Sequence, residues 1–184
     1  MKKQLLTIVA LLCVVAQGAL AANTRFESKW WDEDIKQIGW KVIDDQPTIV
    51  IPSTNDWYTL GTSGSVSYYE VNGTTNVKVL VIQGEVHLIL CNDATLNTQH
   101  IKLEQGNTLH IHRETGSVFD NIGKLIVSGN SYEGAAGIGG GNEKNAGDLY
   151  VHDGDITVTT VNEAAGIGGG CEGSCGKVVP LAVI

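Results

Sequence analysis

Basic residues are scarce in this chain: twelve lysines and arginines stand against twenty aspartates and glutamates, for a net charge of −8. They form no clustered patch, which argues against nucleic acid or an anionic membrane surface as partner, since both are recognised by concentrated positive charge. Phenylalanine occurs twice and methionine once against 23 glycines. That balance excludes a chain of packed helices and points to turns and strands. After the N-terminus there is no apolar stretch of spanning length, so no later transmembrane segment is expected. Cysteines are few and, after the N-terminus, odd in number: Cys13 lies in the N-terminal apolar stretch, leaving Cys91, Cys171 and Cys175. The segment Cys171-Glu-Gly-Ser-Cys175 has the spacing of a small disulfide or of half a zinc site. No second ligand pair lies nearby, and the simplest reading is small loop residues.

What the N-terminus does contain is an export signal. Lys2 and Lys3 precede an apolar run from Leu5 to Ala16, followed by Ala19-Leu-Ala21. This is a positive n-region, a short h-region and a small-x-small cleavage site, so residues 1–21 are read as a signal peptide. Leu12 stands before Cys13 where a lipoprotein cysteine needs a small residue. The expected location is periplasmic, cell-surface or extracellular. Without the two signal lysines the charge becomes −10, over 163 remaining of 184 residues. These divide into a tryptophan-rich segment, 22–65, and a strand-rich region, 66–184.

The strongest pattern is a repeat. Ala135-Ala-Gly-Ile-Gly-Gly-Gly141 returns unchanged as Ala164-Ala-Gly-Ile-Gly-Gly-Gly170, 29 positions on. Around it, strict alternation marks half-buried strands: Leu109 and Ile111 oppose His110 and His112, Leu149 and Val151 oppose Tyr150 and His152, and Ile156 and Val158 oppose Thr157 and Thr159. Val77–Ile82 and Val86–Leu90 are apolar on both faces and should be covered on both sides or pack under the N-terminal segment. Val66–Val71, then Asn72-Gly73, then Thr75 onward predicts a hairpin with a type I′ turn. The spaced units predict an all-β parallel β-helix with an aromatic-rich N-terminal cap. Leu109, Leu125, Leu149 and Val178 would form an interior ladder, and the loop glycines (Gly137, Gly139, Gly140, Gly141; Gly166, Gly168, Gly169, Gly170) would stack at a corner. In the 29-residue register Pro180 falls on Val151, and apolar Leu181–Ile184 replace polar 152–155. This predicts a chain truncated within a longer array, able to self-associate through its open C-terminal end.

Val86–Leu96, Glu104–Ile111, Gly123–Val127 and the two glycine loops resemble exported bacterial repeat proteins described as carrying a carbohydrate-binding, β-helix-like domain. The resemblance covers about residues 77–179. It implies a right-handed parallel β-helix on or outside the cell envelope, and a polysaccharide or cell-surface glycan as partner.

Candidate sites follow from residue chemistry. Tryptophan and tyrosine faces stack on sugar rings, so Trp30, Trp31, Trp40, Trp57 and Tyr58, with Tyr68 and Tyr69, are candidate ligand contacts; sealing the first repeat is their competing role. The glycine loops lack the helix, acid or Gly-Lys-Ser/Thr of a nucleotide site. Asp153-Gly-Asp155 offers too few ligands for calcium and reads as a turn. His110 and His112 share one strand face at a spacing that can chelate zinc or copper, but the sequence identifies no third ligand, so no metal is assigned. No nucleophile–base motif occurs, and Lys124 and Arg113 are the only basic residues near acids that a lyase could use. The expected function is a non-catalytic, cofactor-free exported protein that binds carbohydrate. The alternatives are a structural or adhesin-like element, and a degenerate β-helix lyase or hydrolase.

Overall fold

The computed structural model describes residues 24–32, 37–115, 121–129, 134–160 and 164–181. These are mostly strand, with no α-helix among the described residues. Strands β1 (Thr24–Asp32) and β2 (Gln37–Gln46) form an antiparallel pair. The rest belong to one curled sheet whose strand pairings are all parallel. They are β3 (Ile49–Val50), β4 (Thr54–Val71), β5 (Thr74–Leu90), β6 (Thr95–Lys102), β7 (Thr108–Arg113), β8 (Lys124–Gly129), β9 (Ile138–Gly139), β10 (Asp148–Val151), β11 (Asp155–Thr160), β12 (Ile167–Gly168) and β13 (Val178–Pro180).

The curl comes from long strands that serve several partners. The first part of β5 pairs with β6, its second part with β7, and both parts with β4. Successive passes of the chain therefore align on three stacks. In the first, Thr75, Leu96, Leu125 and Ile156 are in register, as are Val77, Thr98, Val127 and Val158. In the second the ladder runs Tyr58, Leu80, Ile101, Ile138 and Ile167. In the third it runs Val86, Leu109, Leu149 and Val178, beside Tyr69, Leu88, Ile111 and Val151. Most of these apolar side chains meet in one core, where Leu80, Leu88, Leu96, Ile101, Leu109 and Leu125 are each 0% exposed. Each such side chain contributes about 1.5–3 kcal/mol through burial, and no single pass could supply the surface to bury it against.

Two sequence expectations change. Asn72-Gly73 does turn the chain, with Gly73 at φ 71°. The strands on either side are parallel, however, with Tyr68 opposite His87, so the turn is a corner between passes and not a hairpin. The reason is burial: Tyr69, Val71, Val77 and Leu88 all reach the core only when β5 lies beside β4 in the same direction. Leu125 leaves the proposed ladder of Leu109, Leu149 and Val178, because β8 runs on the first stack with β6 and β11. The parallel pairing also begins earlier than the alternation suggested, with Ile49 opposite Tyr69.

The glycine loops do stack. Ile138 lies opposite Ile167 and Gly139 opposite Gly168, with Ile138 N–H donating to the Gly166 carbonyl at 2.9 Å and Gly140 N–H to Gly168 at 3.0 Å. Gly139 has φ 143° and Gly168 φ 145°. A Cβ on Gly139 would collide with the Gly168 carbonyl, so the pairing requires glycine twice over, for conformation and for space. At the C-terminal side, Val178 pairs with Leu149 and Pro180 with Val151, as the 29-residue register requires. Leu181 continues it, donating its N–H to the Val151 carbonyl at 2.7 Å, and is buried. Residues 182–184 and the signal segment lie outside the described residues.

β1 lies against the outer side of the third stack. Phe26 bridges to Glu114, Thr115 N–H donates to the Arg25 carbonyl at 3.0 Å, and Lys29 Nζ reaches Asp153 at 2.9 Å. This explains the doubly apolar pattern of Val86–Leu90: Leu88 and Leu90 face the core, while Ile89, on the other face, is also 0% exposed.

Candidate functional site

Strand alternation sends His87, His110 and Tyr150 to the outer side of the third stack, and parallel register places them in one column below Tyr68. The rings stack face to face: Tyr68 on His87 with centroids 4.7 Å apart, His87 on His110 at 4.5 Å, and His110 on Tyr150 at 4.7 Å. Two residues further along, His112 and His152 form a second column with centroids 4.1 Å apart. The columns join edge to edge. His87 Nδ1 lies 3.0 Å from His112 Nε2, and His110 Nδ1 lies 2.9 Å from His152 Nε2.

β1 closes this wall. Phe26, 1% exposed, packs its ring 4.6 Å from that of His112. Two backbone groups of β1 engage the rings: His112 Nδ1 is 2.9 Å from the Glu27 carbonyl, and the Lys29 N–H donates to His152 Nδ1 at 2.9 Å. His112 and His152 are thereby buried, although alternation alone would leave them facing solvent. Glu85 stands at the open edge, its Oε1 3.2 Å from His87 Nε2 and 3.7 Å from His110 Nε2.

Burial sets the charge state. Desolvation of the imidazolium pushes all four pKa values down, to about 4 for His110 and about 3 for His152. His112, the most enclosed, lies well below the ordinary histidine range, with its neighbour His152 adding repulsion. His87 is also lowered by burial, a shift that Glu85 opposes. At neutral pH the wall is a set of uncharged rings with directed lone pairs, the form in which imidazole binds metals.

One ligand nitrogen from each of His87, His110 and His112 lies within 4.8 Å of the others. Alternation on β7 alone places His110 and His112 on one face, and the fold supplies the third ring from the preceding pass. A signal was present: Val86-His87-Leu88, Leu109-His110-Ile111 and Leu149-Tyr150-Val151 share an apolar–ring–apolar triplet.

The tryptophan candidates lie on separate sheets. Trp30 belongs to β1 opposite Gly39 and is 43% exposed; Trp57 belongs to β4 and is 49% exposed, with Lys102 Nζ 6.0 Å from its ring centre. Tyr58, the next residue, packs against the core at the head of its ladder. The side chains of Trp31 and Trp40 lie outside the described residues. The outer side of the first stack carries an open depression of about 430 Å³ that reaches Asn55, two residues before Trp57 on β4. Asn55, Asn76, Lys78, Asn97, Gln99 and Ser128 line it. Asn97 Nδ2 donates to Asn76 Oδ1 at 3.0 Å, while the buried Gln99 Oε1 has no hydrogen-bond donor among the described residues.

Other candidates resolve into structural roles. Asp153 accepts from Gly154 N–H at 2.9 Å within its turn and pairs with Lys29 and Arg113. Lys124 pairs with Asp155 on the first stack, so the two basic candidates lie on different stacks. Cys171 and Cys175 are exposed free thiols; Cys91 is buried, and desolvation raises its thiol pKa to about 12. Among the described residues no helix is long and apolar enough to cross a membrane. Comparison with known proteins returns no matching family model, no matching curated protein and no matching solved structure. The functional reading therefore rests on sequence and geometry.

Proposed function

We propose that this is an exported, non-catalytic repeat protein whose curled sheet is a right-handed parallel β-helix, and that it binds a glycan along the outer face of its first stack. The observation that carries the reading is the open depression lined by Asn55, Asn76, Asn97 and Gln99, with exposed Trp57 two residues along β4 from Asn55. Sugars present adjacent hydroxyls that donate and accept, and a planar amide offers both functions at the matching separation. Trp57 supplies an apolar face for the C–H side of a pyranose. The lack of formal charge on the four amides suits a neutral polysaccharide, and Lys78 would tolerate occasional acidic units.

Support for the β-helix is the register of four to five passes on three stacks, and support for export is the N-terminal segment from Lys2 to Ala21. The test is binding of the purified protein to a panel of neutral and acidic polysaccharides. Saturable binding is expected, weakened at least tenfold by Trp57→Ala and by Asn76→Ala/Asn97→Ala, and unchanged by Trp30→Ala. A folded protein that binds none of the panel would replace this reading with a structural or adhesive one.

A further inference from the structure

We propose that His87, His110 and His112 form a binding site for one divalent transition-metal ion of the zinc, copper or nickel class, roofed by β1 and open to solvent beside Glu85. Four of the chain's five histidines gather in this wall, only His100 lying elsewhere. Stacked neutral rings could serve structure alone. The positions of their protons argue for more.

Backbone groups fix both ends of the network. A carbonyl only accepts, so His112 Nδ1 carries a proton toward Glu27. A backbone N–H only donates, so His152 Nδ1 is bare toward Lys29. In neutral rings, His112 Nε2 is then bare and His152 Nε2 protonated. His87 Nδ1 must consequently donate to His112 Nε2, and His110 Nδ1 must accept from His152 Nε2. This leaves His87 Nε2 as a bare lone pair 3.2 Å from the Glu85 carboxylate, acceptor facing acceptor. The arrangement calls for a cation.

A metal ion meets that demand at the three ligand rings. Bound through His87 Nδ1, His110 Nδ1 and His112 Nε2, it turns the opposite nitrogens into donors. His87 Nε2–H and His110 Nε2–H then face Glu85, and His112 Nδ1–H keeps its bond to Glu27. Each ligand ring thus has its second N–H directed at a carboxylate or carbonyl, the outer support that imidazole metal sites use to hold tautomer and orientation. His152 Nε2–H, which donates to His110 Nδ1 in the metal-free wall, has to swing aside when the metal takes that lone pair, and then donates to solvent or an incoming ligand. Bonds of ~2.0–2.1 Å at tetrahedral angles put ligand nitrogens roughly 3.3 Å apart; His87 Nδ1 and His112 Nε2, now 3.0 Å apart, open slightly, and all three nitrogens, now within 4.8 Å, settle to that spacing. An all-imidazole set selects borderline ions over calcium or magnesium, which take oxygen. A proton shared between His87 and Glu85 would also remove the clash, and it is the competing explanation.

The two are separated by titrating the full chain with Co(II), then Zn(II), in a Cys171→Ser/Cys175→Ser background that removes the exposed thiols. The expected result is one equivalent of Co(II) with the visible absorption of tetrahedral nitrogen ligation, displaced by Zn(II), and Cu(II) resonance spectra coupled to three nitrogens. His87→Gln and His112→Gln should each weaken binding at least tenfold, and His100→Gln should leave it unchanged. Equal binding by His87→Gln, or Co(II) absorption without nitrogen ligation, would overturn the site. A readout that needs no variant is the thermal midpoint of the unsubstituted wall. A rise of several degrees with one equivalent of Zn(II) supports the proposal, and an unchanged midpoint means that the wall is held by protons alone.

Discussion

The glycine loops around β9 and β12 and the histidine wall around β7 are both stacks of equivalent positions from successive passes, yet opposite forces hold them. At the loops there is almost no side chain: Gly139 approaches Gly168 backbone to backbone, and the constraint is steric. At the wall the backbone is ordinary strand and the rings do everything, through stacking at 4.1–4.7 Å and hydrogen bonds near 3.0 Å. One stack tolerates no added atom. The other tolerates no added charge.

The sharpest way to break the comparison is at the loop. Gly139→Ala is expected to cost about 4 kcal/mol or more, combining a φ that alanine avoids with a collision that the opposing carbonyl cannot yield to. Gly141→Ala, where an added Cβ meets only Glu104 Oε1 at 3.6 Å, should be nearly neutral. Chemical denaturation of both variants checks this, and equal losses would refute the steric account.

On the other side, Phe26→Ala should cost about 3 kcal/mol, as large aromatic truncations do, and should open the histidines to solvent. The accompanying sign is a rise of the His112 and His152 pKa values toward the ordinary range, readable by proton NMR across a pH series. If they stay low, β1 is not what holds them down.

Smallest per step is the effect of acid. The folded pKa values lie below the unfolded value of about 6.5, so the unfolded chain takes up protons first as pH falls. Stability is full above pH 6.5 and declines below it, through about 4, where His110 titrates in the fold, to about 3, where His152 does. Each ring contributes at most about 1.4 kcal/mol per pH unit within that window. A stability profile flat from pH 7 to 4 would show that the wall does not exclude protons.

The same contrast explains what could be read from the sequence. Steric demands leave a local mark, and an identical heptapeptide returning after 29 positions exposes its corner without any coordinates. Inward alternation at Leu109, Ile111, Leu149 and Val151 was legible for the same reason. Pairing partners were not. Asn72-Gly73 correctly signals a positive φ, but the direction of the next strand is decided by a core ladder a full pass away. Leu125 resembles Leu149 in its local context and stands on another stack. The third histidine was missed because His87 precedes His112 by 25 residues, a separation set by loop lengths that no motif encodes. The doubly apolar Val86–Leu90 pointed to a cover from the N-terminal segment, but nothing in the sequence pointed to Phe26 against His112, since no periodicity relates the two.

The duplicated loop has a consequence for how the chain finds its fold. Ile101 pairs with Ile138, but Ile167 offers it the same flanking sequence, so at this corner a strand could be skipped with nothing locally wrong. The neighbouring stack forbids the slip. Skipping a pass would set His110 beside Val179 instead of Tyr150, and His112 beside Leu181 instead of His152, costing the wall its rings. The uneven surface of the third stack thus proofreads the monotony of the second, and an error in counting repeats would surface first as a lost histidine pair.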